Sequence, residues 1–448
     1  MVVGQIPPPS PPSQLLLFDA AAALQQGTFM TLITKNDMLY SGMMDDESPN
    51  IIAFYLATIR ELAGSDLQME AAYRLHSGQQ ATLRPSMETD SPMEAHFGQK
   101  DRINEFRTYY ARRLVNPGAP LRDNLVAELF QGGSRPLWMG LFACYGLPLV
   151  HLGDSLEVKA ATYAKQALAL AASNLDNDLC DLFASIVTES RRRSALFGSN
   201  GDHNCRPLRK WTRDPLSILH DLTRDGRLSG LSLVLPGYTN HAVAGRPWSS
   251  QNIVSQVVLE SVWRWDLAET IDPLDALEEL GRVTTVALAC GTHKTHRPPE
   301  FDFFLCFLPT LVHALRVFLA AVRQQYPAVS EIALVLVRCL WAQIVLVYIL
   351  QLRPKIASIP KRIEPQQPPP DDENFLFRAF YNDTVLSEPQ HQDAFYLRAL
   401  RSFAMLAASE QDPEWTARIN DAAVKLQVNW HRWLGLAPGE ATTLDIRL

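Results

Sequence analysis

A single histidine in an apolar stretch is the first candidate for chemistry in this chain. His151 lies within FACYGLPLVHLGDSLEV at 142–158, and Asp154 follows it by three residues. If the stretch is helical, both side chains lie on one helix face, where Asp154 could fix the imidazole tautomer and raise its basicity. The same pattern also suits a hydrogen-bonded core histidine, which is the more common case.

Two further histidines, His293 and His296, lie three residues apart in CGTHKTHRPPEFDFF. Gly291 before them and Pro298 after them favour a loop rather than a helix. Loop histidines can transfer protons, or ligate a metal if other groups complete the site. A solvated loop is the simpler interpretation of this spacing.

His313 and Arg338 are polar residues inside strongly apolar helical stretches. A buried imidazole must find a hydrogen-bonding partner, so His313 is either a satisfied core residue or an acid/base group. A buried guanidinium needs an anion, which could be a protein carboxylate or an acidic or enolate-like ligand. The structural role is the more common one for both residues.

Large aromatic side chains could line a deep pocket for a flat, apolar small molecule, although most such residues simply form a core. The candidates for this lining are Phe54, Trp138, Tyr145, Phe303, Phe307 and Trp341, with Arg338 as a polar member. The chain has no G-x-G-x-x-G after a strand, no P-loop and no G-x-S-x-G motif. Dehydrogenase, kinase and α/β-hydrolase activities are therefore poorly supported.

The composition is that of a globular protein, with 448 residues, 47% of them hydrophobic, and a net charge of −7. There is no long basic run, so no nucleic-acid partner is expected. The six cysteines form no C-x-x-C pair, which favours reduced, buried thiols and argues against a cysteine-held metal. The N-terminus does not resemble a signal peptide, and we expect a cytoplasmic protein that could form a homodimer.

Helical periodicity dominates the chain and indicates a mostly α fold. It covers 54–64, 148–173, 177–192, 252–268, 273–290, 303–324, 331–352, 393–409 and 413–433. The only short strand candidate is 232–236. The apolar run at 332–350 is nearly long enough to span a membrane, but Arg338 and Gln343 within it favour a buried core helix, so no membrane partner is expected.

The helices predict one large domain over 14–448, preceded by a proline-rich tail at 1–13. Irregular segments at 196–215 and 236–251 are long enough to cover an apolar pocket. A proline-rich connector at 353–372 lies within the same domain.

Four segments, in the same order, resemble the questin oxidase-like family, which is widespread in fungal polyketide gene clusters. GLPLVHLGDSLEV at 146–158 is similar to its HP-L-I-H-L-G segment, and PPEFDFFLCFLPTLV at 298–312 to its FDFFLMH segment. DPLSILHDLTRDGRLSGL at 214–231 and DAFYLRAL at 393–400 resemble its DPRFDG and K-x-x-R-A-L segments. The resemblance implies an oxygenase of anthraquinone-like polyketides, in some members with iron held by several histidines and a modified lysine.

The chain departs from this family where the metal would be held. The stretch Asn50–Tyr55 lacks the paired histidines, Phe307 ends the FDFFLMH-like segment, and Phe395 stands at the lysine position. His391 is out of register, so His151 is the one ligand that remains. One imidazole cannot hold iron tightly, so no metal site is expected.

The sequence therefore predicts a metal- and cofactor-independent tailoring enzyme for a polyketide- or terpenoid-derived small molecule. It would dehydrate its substrate and promote cyclisation or cycloaddition of the hetero-Diels–Alder type. The proton would be transferred by His151 assisted by Asp154, by His293 or by His313. One alternative is a Baeyer–Villiger or ring-cleaving oxygenase that uses iron or NADPH. Another is a binding protein without turnover.

Overall fold

The computed structural model describes most of the chain between residues 14 and 434. The described residues are 14–44, 50–78, 80–82, 93–114, 120–130, 135–175, 177–199, 214–228, 253–265, 267, 271–290, 301–356, 375–431 and 433–434. The predicted tail at 1–13, the strand candidate at 232–236, His293 and His296 lie outside them. So do most of the 196–215 loop, the whole 236–251 loop and most of the connector.

The described residues form a mostly α fold, which confirms the predicted fold class. The longer helices are α1 (Gln14–Leu39), α2 (Ile52–Glu61), α3 (Asp66–Ser77), α4 (Ile103–Leu114), α5 (Leu121–Phe130), α6 (Leu147–Glu157), α7 (Ala161–Ser173), α8 (Asn177–Ser199), α9 (Pro215–Leu222), α10 (Ile253–Arg264), α11 (Pro273–Arg282), α12 (Phe303–Val322), α13 (Pro327–Leu350), α14 (Arg378–Asn382), α15 (Ala394–Ser409) and α16 (Pro413–Asn429). The division into a single domain stays a prediction.

Short elements connect the helices. The 3₁₀ turns are Met93–His96, Lys100–Arg102, Leu137–Phe142, Cys144–Gly146, Phe375–Phe377 and Pro389–Gln392. Strands β1 (Tyr40–Met44) and β2 (Gln80–Thr82) pair antiparallel. Strands β3 (Phe301–Asp302) and β4 (Trp433–Leu434) pair in parallel, with Phe301 opposite Trp433.

The predicted helix over 148–173 is in fact two helices. α6 ends at Glu157, and Lys159 has a positive φ of 53° before α7 begins at Ala161. The amide of Ala160 donates to the carbonyl of Ser155, so the chain closes α6 with the left-handed turn that usually carries glycine. Because lysine holds that position here, the apolar pattern alone did not reveal the break.

A second difference lies in the predicted helix over 273–290. α11 ends at Arg282, and Val283–Ala289 continues it as a π-helix. The wider turn is rare and places one extra residue in the helical path. The π-helix packs against α12 and α16.

In the described part of the chain, two helices are long and apolar enough to cross a membrane. They are Phe303–Val322 and Val329–Leu350, and 78% and 89% of their most apolar windows are buried inside the protein. The second contains the 332–350 run, and its burial agrees with the predicted core helix. Helices that are apolar all round are typical of the centre of a large fold.

Helices α2, α6, α12 and α15 form the part of the core that surrounds His151. α6 packs against α7 and α12, and α15 packs against α12 and α2. Gly153 permits a close approach between α6 and α12, because a Cβ atom there would lie 3.0 Å from Cα of Ala314. The helix that carries His151 is therefore held tightly against its neighbour.

Candidate functional site

His151 lies in the first half of α6, after Gly146 and Pro148, which set the start of the helix. Its side chain is fully buried. Its ring stacks on Phe54 at a centroid distance of 6.3 Å and meets the ring of Tyr163 edge-on at 4.8 Å. Neither ring nitrogen has a hydrogen-bonding partner among the described residues. His151 is thus a buried histidine, but not the satisfied core residue of the simpler interpretation.

The electrostatics of this position keep the imidazole neutral. Burial, and secondarily the positive charge of Arg398, lower the pKa of His151 to about 3. A buried polar group without a hydrogen-bonding partner lowers the free energy of unfolding by about 1–3 kcal/mol. The neutral ring keeps one donor and one acceptor free for a bound molecule.

Phenylalanine rings pack around Phe54, the ring that stacks on His151. Phe54 of α2, Phe303 and Phe307 of α12, and Phe395 of α15 form what we call the phenylalanine cluster. Their ring centroids lie 4.9 Å (Phe303–Phe395) to 6.5 Å (Phe54–Phe307) apart. The structure therefore brings three of the predicted pocket residues, Phe54, Phe303 and Phe307, into one cluster, which meets His151 through Phe54.

Asp154 does not orient His151, contrary to the prediction. Its carboxylate forms an ion pair with Arg398, and it accepts a hydrogen bond from the hydroxyl of Tyr163 at 2.9 Å. The helical spacing was right, but a guanidinium from α15 is a stronger partner for a buried carboxylate than a neutral imidazole.

Asp154 belongs to a group of polar residues that we call the buried ion network. Its members are Glu61 of α2, Asp154 and Glu157 of α6, Tyr163 of α7, His313 of α12, and Arg398 and Arg401 of α15. Arg398 binds Glu61 at 2.7 Å, and Arg401 contacts Glu61 and Glu157 at 2.9 Å each. The network thus ties together the helices that surround His151.

His313 has the partner that its burial required, because its Nε2 lies 3.1 Å from Oε1 of Glu157. Glu61, Glu157, Arg398 and Arg401 were not predicted from the sequence. A signal for the arginines was present, since both fall at i, i+3 spacing within the apolar stretch 394–409. Buried arginines at this spacing require carboxylates on the helix that faces them.

The remaining predicted site residues lie in other contacts. Arg338 donates to the carbonyl of Leu267 at 3.0 Å, and Trp341 donates to the carbonyl of Ser261 at 3.2 Å. Trp138 stacks on Phe183 at 6.2 Å, and Tyr145 contacts Phe304 at 5.2 Å. None of the contacts described for these four residues is with His151 or with the phenylalanine cluster.

The groove described on the surface does not contain the site either. It runs along α1 and is lined by Met30, Thr31, Thr34, Lys35, Met38 and Leu39. The apolar pocket predicted beneath the 196–215 and 236–251 loops stays a prediction, because most of these residues lie outside the described part of the chain.

The residues around His151 do not fit the histidine-held iron that the resemblance implies. Phe307 and Phe395 stand where a histidine and a lysine would ligate, and each is packed against other rings. Iron needs nitrogen or oxygen donors, and the phenylalanine cluster offers none. Among the described residues, His151 is the one histidine left at this position to bind a metal.

The buried carboxylates do not provide another metal site. Oxygen atoms of Glu61, Asp154 and Glu157 lie within 4.8 Å of one another, a spacing that would suit a cation. However, Arg398 and Arg401 already pair with these oxygens. A dication would have to displace or lie beside two buried guanidiniums, which electrostatic repulsion opposes.

Comparison with known proteins gives one family. A family model described as questin oxidase-like matches residues 49–403 of this chain. The match includes His151, the phenylalanine cluster and the buried ion network. No curated protein matches the chain.

Proposed function

The chain belongs to the questin oxidase-like family, and on that premise we propose that it is a redox-neutral member that uses neither a metal nor an organic cofactor. Family membership indicates an enzyme that tailors secondary metabolites. The proposed substrate is a flat polyketide- or terpenoid-derived molecule, and the proposed reaction is dehydration followed by cyclisation or cycloaddition.

One observation carries the proposal. His151 is fully buried among aromatic rings, and both of its ring nitrogens lack a partner among the described residues. A native structure rarely leaves two buried polar atoms of one side chain unsatisfied. A substrate that supplies a hydroxyl or carbonyl oxygen at this position would satisfy them.

A neutral imidazole suits dehydration of a hydroxybenzyl-type alcohol to a quinone methide. The C–O bond breaks, and the departing hydroxyl takes a proton from one ring nitrogen and leaves as water. The other nitrogen accepts the proton of the substrate's ring hydroxyl, so the imidazole changes tautomer but carries no charge at the end. Because burial disfavours the imidazolium, this concerted exchange is better suited to His151 than stepwise protonation.

The apolar walls would contribute the rest of the catalysis. Aromatic rings such as Phe54 and Phe307 stack on flat substrates and hold a diene and its partner in one orientation. Such pre-orientation is worth up to about 7–11 kcal/mol of the barrier in favourable cases. Exclusion of water would protect the quinone methide from hydrolysis.

An oxygenase is the second candidate, and the name of the matched family is the observation that favours it. It would act on an aromatic polyketide, by a Baeyer–Villiger or ring-cleaving reaction, with iron or NADPH supplied to the protein. The phenylalanine cluster gives this route no ligands in the described residues, so we rank it second.

Product analysis separates the candidates. The purified protein is incubated with hydroxybenzyl-bearing tropolone or anthraquinone precursors and an alkene, under isotopically labelled dioxygen, with and without ferrous iron and NADPH. We expect a product formed by loss of water, free of the label and independent of both additions. A labelled product would contradict the proposal and favour the oxygenase, and bound but unchanged substrate would favour a binding protein.

A further inference from the structure

The buried ion network has an uneven charge. Three carboxylates, those of Glu61, Asp154 and Glu157, face two guanidiniums, those of Arg398 and Arg401. Burial lowers the pKa of Arg398 only to about 10, so this guanidinium stays charged at neutral pH. An uncompensated negative charge in such a site would be costly. Three carboxylates beside two guanidiniums therefore favour one proton being kept within the network.

The positions of the carboxylates give such a proton a route to solvent. Side-chain exposure falls from 20% at Glu157 to 7% at Glu61 and 2% at Asp154. One oxygen of each lies within 4.8 Å of the others, close enough for exchange through one water molecule. Both arginines pair with Oε2 of Glu61, so Oε1 is the oxygen that can carry the proton.

We infer that the buried ion network stores one exchangeable proton, which rests on Glu61 and enters and leaves through Glu157. The exchange moves only a proton, between solvent, the Glu157–His313 pair and Oε1 of Glu61. Every other charged group of the network is a fixed partner. Arg60, the partly exposed neighbour of Glu61 in α2, lies outside the network and donates to the carbonyl of Val158 at 3.2 Å.

The electrostatics agree with the choice of Glu61. Burial and, secondarily, the neighbouring charge of Glu157 outweigh the two arginines and raise the pKa of Glu61 to about 7. Burial also acts to raise the pKa of Glu157, but Arg401 and His313 outweigh it and lower that pKa. Of the pair, Glu61 thus holds the proton near neutral pH while Glu157 stays ionised.

Tyr163 joins the store to the candidate site. Its hydroxyl donates to Asp154, and its ring meets that of His151 edge-on at 4.8 Å. A change of charge on Glu61 therefore alters the electrostatic potential close to His151, where the proposed reaction takes place. This consequence for turnover rests on the proposed function, whereas the storage of a proton does not.

Infrared titration of the full-length protein tests the store without any substrate. We expect the carbonyl band of a protonated, buried carboxylic acid at low pH, lost with a midpoint near pH 7. Glu61→Gln should remove this band. Because burial also raises the pKa of Asp393 to about 6 and that of Glu278 above its usual value, the assignment depends on the variants.

Two further variants keep the test decisive if Glu61→Gln does not fold. Glu157→Gln removes the like charge, so the midpoint should fall by about one pH unit. Glu278→Gln is the matched control, since Glu278 also shares an arginine, Arg282, with a second carboxylate, and it should leave the band with its midpoint near pH 7 unchanged. Any of three results would overturn the inference. The wild-type protein would show no such band, the band would remain in Glu61→Gln, or the midpoint would be the same in Glu157→Gln as in wild type.

The pH dependence of the protein's stability is an independent test of whether Glu61 holds this proton. The folded-state pKa of Glu61 is raised above that of the unfolded chain, so its contribution to stability is present at low pH and is lost as the pH rises through about 7. The melting temperature of Glu61→Gln relative to wild type should therefore rise between about pH 5 and pH 8. A relative melting temperature that stays constant over this range would contradict storage on Glu61.

Discussion

Replacing Arg398 with methionine is expected to lower the free energy of unfolding by about 3–5 kcal/mol. The guanidinium is 1% exposed and pairs with both Asp154 and Glu61. Methionine fills much of the same volume but leaves Asp154 without a guanidinium and Glu61 with that of Arg401 alone. The expected loss therefore comes from uncompensated charge rather than from lost packing.

Denaturant unfolding followed by circular dichroism measures this change. Arg192→Met is the matched control, because Arg192 pairs with Glu189 on α8 while its side chain is 58% exposed. That variant should change stability by less than about 0.5 kcal/mol. Arg398→Lys should recover only part of the loss, since an ammonium cannot span two carboxylates as a guanidinium does. Equal, small effects of both methionine variants would mean that the network is not buried as described.

Replacing His151 with phenylalanine is expected to cut turnover by about 10²–10⁴-fold. The imidazole is the proton donor and acceptor of the proposed reaction and stacks on Phe54 of the phenylalanine cluster, so its loss removes both proton transfers. The fold should survive, because the new ring lies among other aromatic rings and two unmet polar atoms disappear. The rate of formation of the dehydrated product measures the effect.

His220→Phe is the control for this substitution, because His220 is exposed on α9. It should leave the rate unchanged. A His151→Phe protein that folds and turns over at the wild-type rate would remove His151 from the mechanism. The aromatic surroundings alone would then have to account for catalysis.

The fold was largely readable from the sequence because helical periodicity is a local property. Every stretch predicted to be helical contains a helix, from α2 to α16. The break at Lys159 was missed because glycine is the usual sequence signal of a left-handed turn at the end of a helix, and this position is a lysine. The helices at 66–77 and 103–114 were missed because their charged residues weaken the apolar pattern.

The candidate site was only half predictable. His151 and three rings of the phenylalanine cluster were found because aromatic residues and a lone imidazole stand out in apolar stretches. The partner of Asp154 was not, because Arg398 follows it by more than 240 residues, and only the packing of α6 against its neighbours brings the two together. Sequence spacing reveals which residues share a helix face but not which faces meet.

Iron binding tests most directly whether the phenylalanine cluster has replaced a metal site. The purified protein is incubated with ferrous iron without oxygen and desalted, and the iron per chain is measured by elemental analysis for wild type and His151→Phe. We expect far less than one iron per chain, with no difference between the two proteins. One iron per chain in wild type that is lost in His151→Phe would contradict the replacement and return the oxygenase to first place.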